Sequence, residues 1–194
     1  MADHTRRFEG DALKYIQTVP FNCQWEGTNV RRVRVKIEKH DNYNFAQIVD
    51  AGTGGGHAIN FHILGWQDDQ AATGHLDSTA DYFYTGPLSG CTFAVDKNWY
   101  KPHVLHVNYH NTTGGMDSVR MSNSVTNLMV NDTSKLSLSN APNVTVVTSH
   151  NRNNTETYNI FGIRGYFGWT FYQQICTTTD DMAVVSVNQL DTAF

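Results

Sequence analysis

From Asn29 onward apolar and polar side chains alternate at period two, a pattern that a helix cannot gather onto one face. In the stretch 30–37, Arg31, Arg32, Arg34 and Lys36 interleave with Val33, Val35 and Ile37, and Lys39 extends the basic set. This reads as a strand with a solvated basic face rather than as a binding patch. The same pattern predicts strands at 43–49, 59–64, 103–109, 144–148, 157–163, 169–175 and 182–187. Residues 82–84 and 92–95 read as strand segments flanking a turn over 86–90. The glycine-rich run 51–56 has neither a dinucleotide fingerprint nor the lysine of a phosphate loop, so it reads as a hairpin connection. Helical periodicity is confined to 5–18, with Phe8, Leu13 and Ile16 on one side and Gly10 weakening the run, and to 117–130, with Met121, Val125, Leu128 and Met129. With strands dominant and helices peripheral, the expected class is α+β, with a β-sandwich-like core of mixed sheets. No internal repeat or clean linker interrupts the 194 residues, and one domain over 1–194 is expected.

Composition excludes several classes of function. The hydrophobic fraction of 40% argues against disorder, and a net charge of −4 argues against nucleic acid or an anionic membrane as partner. No run approaches transmembrane length, and the opening residues lack the apolar core of a secretory signal. Cys23, Cys91 and Cys176 are an odd and sparse set, so a reducing compartment is expected rather than a disulfide framework. In that setting the Asn-x-Thr triplets at Asn111, Asn131, Asn143 and Asn153 carry no glycosylation argument. Among nine histidines, neither His57 with His62 nor His103, His106 and His110 has metal-ligand spacing, and no metal or cofactor is expected. The acidic pairs Asp68-Asp69 and Asp180-Asp181 read as polar turns.

The residues with chemistry to offer surround Cys91. Cys23 and Cys176 read as buried core thiols, but Cys91 follows Ser89-Gly90 at a loop-to-strand junction. A glycine there lets backbone amides approach a substrate carbonyl, as an oxyanion site requires. A thiol needs a base at neutral pH, and the next strand offers His103, His106 and His110. Alternation separates His103 from His106 and leaves the choice open at this point.

The segment Thr85-Gly86-Pro87-Leu88-Ser89-Gly90-Cys91 resembles the Thr-x-x-Leu-Ser-Gly-Cys segment of the Burkholderia lethal factor-like glutamine deamidases, related to the catalytic domain of the cytotoxic necrotizing factors. Val104-Leu105-His106-Val107-Asn108 is similar to their histidine-bearing segment. Thinner similarity covers 49–52 and 63–66, with Tyr172-Gln173-Gln174 before Thr177-Thr178 further downstream. The resemblance implies a Cys-His-Thr site with Cys91 as nucleophile, His106 as base and Thr85, six positions before the cysteine, as the residue that orients the base. His103 falls at the lethal factor's own offset and stays the alternative. Leu88, Ser89 and Gly90 would shape the oxyanion and substrate site.

The implied activity is conversion of a specific glutamine of a host protein to glutamate by a bacterial toxin or effector. A Rho-family GTPase or the translation-initiation RNA helicase is the candidate partner. Such a protein is expected to act as a monomer in the host cytosol. The alternatives are transglutamination or peptide hydrolysis on the same site. A different class is a non-enzymatic β-sandwich binding module in which Trp66, Trp99, Tyr100 and Trp169 line a ligand face.

Overall fold

The computed structural model describes residues 3–39, 44–53, 55–98, 100–127, 144–148, 155–179 and 181–190, which form an α+β core of three helices and eleven strands. The helices are α1 (His4–Gly10), α2 (Ala12–Thr18) and α3 (Ser118–Val125). The strands are β1 (Val30–Lys39), β2 (Ala46–Asp50), β3 (Ile59–Leu64), β4 (Gln70–His75), β5 (Tyr82–Leu88), β6 (Thr92–Asp96), β7 (His103–Asn108), β8 (Val144–Thr148), β9 (Glu156–Gly165), β10 (Gly168–Thr177) and β11 (Val184–Gln189).

They sort into a seven-stranded sheet, ordered β11-β10-β9-β5-β3-β1-β2, and a four-stranded sheet, ordered β4-β7-β6-β8. Neighbours are antiparallel except β3 and β5, which makes the larger sheet mixed. That parallel pair exists because the chain leaves the larger sheet after β3, contributes β4 to the smaller one, and returns as β5. Parallel neighbours require a crossover of this kind.

Alternation along the strands decides what each face buries. Phe61, Ile63, Tyr84 and Phe161 pack outward with Phe8 and Ile16 of the two N-terminal helices. The opposite faces of the same strands carry Leu64, Phe83 and Ile160, which meet Phe93, Val95 and Val104 of the smaller sheet. Phe83, Phe93 and Phe171 form an aromatic triangle between the sheets, with ring centroids 5.8 to 6.2 Å apart. On the far side of the smaller sheet, Ala94, Leu105 and Val107 pack against Met121 and Val125 of α3. The result is a two-sheet sandwich covered by helices on both outer faces.

A buried polar network ties the N-terminal segment to the larger sheet. Gln174, fully buried, donates from Nε2 to the carbonyls of Ile16 (2.6 Å) and Val19 (2.8 Å), at and beyond the end of α2. Its Oε1 accepts from the Phe21 N–H (3.1 Å) and from Asn159 Nδ2 (3.2 Å). Asn159 Nδ2 also donates to the Phe21 carbonyl, and its Oδ1 lies 2.8 Å from the Tyr84 hydroxyl. A strand side chain thus caps carbonyls that a helix end leaves unsatisfied.

Four sequence expectations need correction. The helix expected over 5–18 is two helices, because Asp11 leaves helical geometry and its side chain accepts from the Lys14 N–H at 2.9 Å as an N-cap. The strand expected at 43–49 lies at Ala46–Asp50. The turn expected over 86–90 is shorter, since β5 runs through to Leu88. Finally, β4 was not expected at all. Its sequence has one β-branched residue, Thr73, and it is a strand because β7 supplies a ladder partner. Gly54, Trp99, Leu128, Met129, the stretch 131–143, Asn153 and Asp180 lie outside the described residues.

Candidate active site

Thr85 shares the inner face of β5 with Phe83, two residues earlier, and is fully buried. Just after it the ladder with β9 slips: Thr85 pairs with Ile160 and Leu88 with Tyr158, so Gly86-Pro87 occupies a bulge. A bulge leaves a residue outside the ladder, which accommodates a proline that has no N–H to donate. Leu88 is anchored in the inter-sheet core. Ser89 and Gly90 then turn the chain out of the larger sheet and into β6 of the smaller one. Cys91 sits on that crossover, 6% exposed, in the same inter-sheet cluster.

Gly90 is required at this turn on two counts. Its φ is +93°, and a Cβ would lie 2.7 Å from Met116 Cγ. Met116 is half-buried and packs against the cluster that contains Cys91, so it covers this end of the turn.

His106 arrives from β7, whose register pairs it with Phe93 of β6. Paired residues share a face, so His106 points between the sheets with Phe93. There its Nδ1 lies 2.9 Å from Thr85 Oγ1, a contact that spans the sandwich from one sheet to the other. Nε2 has no hydrogen-bond partner among the described residues. With Nδ1–H donating to the threonine oxygen, Nε2 keeps its lone pair for a proton.

His103, three residues earlier, lies on the opposite face. Its Nε2 is 2.6 Å from Thr73 Oγ1, its N–H donates to Asp96, and its ring stacks on His75 at 4.6 Å. His110 lies past the end of β7, bridged to Met116. Of the three histidines, His106 is the one brought to Thr85.

Burial favours the neutral form of both Cys91 and His106. It pushes the Cys91 thiol up to about 11; a hydrogen bond from the Ser89 main chain works against that rise, and the Asp68 carboxylate adds to it. Burial alone takes His106 down to about 3. A neutral thiol and a neutral imidazole can still act together if the proton moves as the sulfur attacks. Cys23 and Cys176 are also pushed up by burial, to about 11 and 12.

The depressed His106 value sets a pH dependence of stability. An unfolded imidazole binds its proton near 6.5 and the folded one only near 3, so the unfolded state takes up the proton first as pH falls. Stability is therefore full above 6.5 and falls below it, by about 1.4 kcal/mol per pH unit from this residue. His62, whose value burial also lowers, adds in the same direction. Urea midpoints measured from pH 7 to 5 should fall in the parent, and His106→Gln should flatten that slope.

Two polar residues that the sequence did not single out for chemistry stand at the same end. Asn108, buried at the end of β7, donates from Nδ2 to Asp68 Oδ1 at 3.1 Å. Asp68 and Asp69 form the polar turn expected of them, with Asp69 at φ 57°. No sequence signal links 68 to 108; the link is made by the pairing of β4 with β7.

Of the aromatic residues proposed for a binding-module face, the three described ones differ widely in burial. Trp169 is in the core, Trp66 is half-buried beside Glu26, and Tyr100 is 68% exposed. No group of three or more His, Cys, Asp or Glu side chains among the described residues is placed to hold a metal ion. No family model matches the sequence, and no curated protein matches it either.

Proposed function

We propose that the chain is a protein-glutamine deamidase, with Cys91 as nucleophile, His106 as general base and acid, and Thr85 as the residue that holds the imidazole. The observation that carries this reading is the 2.9 Å contact between Thr85 and His106 across the sandwich, with Thr85 on the strand that leads into the crossover bearing Cys91 and His106 on the strand paired with β6, which that crossover enters. The likeness of 85–91 to the lethal factor-like deamidases supports the choice of an amide substrate.

In the first half-reaction the Cys91 sulfur attacks the carboxamide carbon of a glutamine side chain while its proton passes to His106 Nε2. Main-chain amides of the Ser89-Gly90-Cys91 turn stabilise the oxyanion. The imidazolium then returns the proton to the amide nitrogen, the C–N bond breaks, and ammonia leaves a thioester. Water adds to that carbonyl, giving its proton to His106, and the imidazolium protonates the departing sulfur. The balance is one glutamine and one water consumed, one glutamate and one ammonia released. Thr85 accepts from Nδ1–H throughout and fixes the tautomer.

Exchanging a glutamine for a glutamate removes two N–H donors and adds a negative charge, enough to disable a switch or catalytic residue in a target protein. The reading therefore extends to a bacterial effector acting on a host protein, with a Rho-family GTPase or the translation-initiation RNA helicase as candidates. The test is peptide mass spectrometry of a eukaryotic lysate treated with the parent protein or with Cys91→Ser. Conversion of glutamine to glutamate at one site, by the parent only, is the expected result. Conversion by both proteins, or by neither, overturns the assignment.

A further inference from the structure

Most reactive cysteines sit in electropositive surroundings that stabilise the thiolate. The charge that Cys91 feels here has the opposite sign. Asp68, on an exposed turn, has no ion pair among the described residues, whereas its neighbour Asp69 is held by Arg120 at 2.6 Å. Asp68 is aimed by Asn108, whose amide donates to its Oδ1 at 3.1 Å. The strand register places Asn108 between the two segments concerned. Gln70 of β4 pairs with Asn108 on one side. On the other, Thr92 pairs with Val107, so the position opposite Asn108 falls to Cys91.

A carboxylate there works against the sulfur, so its use lies elsewhere. A carboxylate is acceptor-only, and a carboxamide NH2 group offers two donors and no charge. The glutamate product offers the reverse, acceptors and a negative charge. We propose that Asp68, positioned by Asn108, is the specificity residue of this site. It accepts from the substrate carboxamide N–H2 and repels the carboxylate product. This rests on the deamidase reading and deepens it by naming how glutamine is told from glutamate.

Two reagents that differ only in this respect provide the test. Iodoacetamide carries a carboxamide and iodoacetate a carboxylate, and both alkylate a thiolate. Their relative rates at Cys91, read by peptide mapping of the folded protein, are compared with the same ratio for the urea-unfolded chain. The folded parent should favour iodoacetamide about fivefold more than the unfolded chain does, as one unit charge near the sulfur at a partly solvated surface would give. Asp68→Asn should bring the ratio back to the unfolded value, and Asp69→Asn should leave it as in the parent. A folded ratio equal to the unfolded one, an unchanged ratio in Asp68→Asn, or an equal loss in Asp69→Asn overturns the proposal, as does a Cys91 that neither reagent reaches. The measurement needs no turnover. A ratio that behaves as expected, with no conversion in the lysate, would sink the deamidase reading while keeping the carboxamide preference at Asp68.

Discussion

Cys91→Ser is expected to lower glutamine conversion by about 10⁴-fold or more, because a serine hydroxyl at this buried position has no comparable nucleophilicity. His106→Gln should cost about 10³-fold, within the range that a positioned acid–base group supplies. Thr85→Ala should be milder, about ten- to a hundredfold. A threonine oxygen orients the imidazole and stabilises the imidazolium only as a neutral dipole, which is less than a carboxylate would do. The three substitutions also differ in what they do to the fold. Thr85 and His106 face each other across two sheets, and removing the hydroxyl leaves a buried ring nitrogen without a partner. That should cost Thr85→Ala about 1–3 kcal/mol of stability, so conversion is compared at a temperature where each variant is folded. Equal activity losses for all three would mean that Thr85 holds the sheets together and takes no part in orienting the base.

The largest effect on stability is expected at Gln174. Its side chain makes four hydrogen bonds, two to carbonyls around the end of α2, one to the Phe21 N–H and one to Asn159. Truncation to alanine leaves those groups buried without partners. Gln174→Ala should lose about 3–5 kcal/mol and lower the thermal midpoint by roughly 10 °C for a chain of this length. Gln174→Leu fills the space and excludes water from the orphaned carbonyls, so it should be no better. Gln173→Ala, one residue away and half-buried, should stay within about 1 kcal/mol of the parent. Thermal and urea unfolding of the three variants decides the matter, and a Gln174→Ala protein as stable as Gln173→Ala would show that water replaces the network.

These adjacent glutamines show where sequence reading stopped. Period-two alternation placed β1, whose buried Val35 and Ile37 alternate with charged residues, and short apolar runs placed β3 and β7, which are buried on both faces. It did not reveal β4, whose Ala71, Ala72 and Gly74 have little strand preference of their own and owe their conformation to β7. Gly86-Pro87 read as a turn because that is what the dipeptide does in isolation. Within β5 it is a bulge, and only the pairing with β9 makes it one. The N-cap at Asp11 was not read, because the apolar spacing from Phe8 to Ile16 runs through it.

The candidate site divides in the same way. Cys91 could be named from its Ser-Gly turn, whereas Thr85 and the choice of His106 over His103 rest on the resemblance of 85–91 and 104–108 to the lethal factor-like deamidases. That Thr85 and His106 meet depends on which faces the two sheets turn toward each other, which the alternation of β5 and β7 states only once the layers are known. Asp68 read as a polar turn and Asn108 only as a flank of His106, and their contact left no local trace because forty residues of chain separate them.

The central claim is that Cys91 attacks the carbon of a glutamine carboxamide with His106 as its base. The most direct measurement exposes the folded protein to 6-diazo-5-oxo-norleucine, a glutamine analogue whose diazoketone alkylates a nucleophile at the carboxamide position with loss of dinitrogen, and maps the adduct by mass spectrometry. The predicted result is an adduct on Cys91, with Cys23 and Cys176 unmodified, and its disappearance in His106→Gln. A Cys91 that stays unmodified in the folded protein, or reacts no faster than the other two thiols, would contradict the claim and leave Cys91 as a residue of the inter-sheet core.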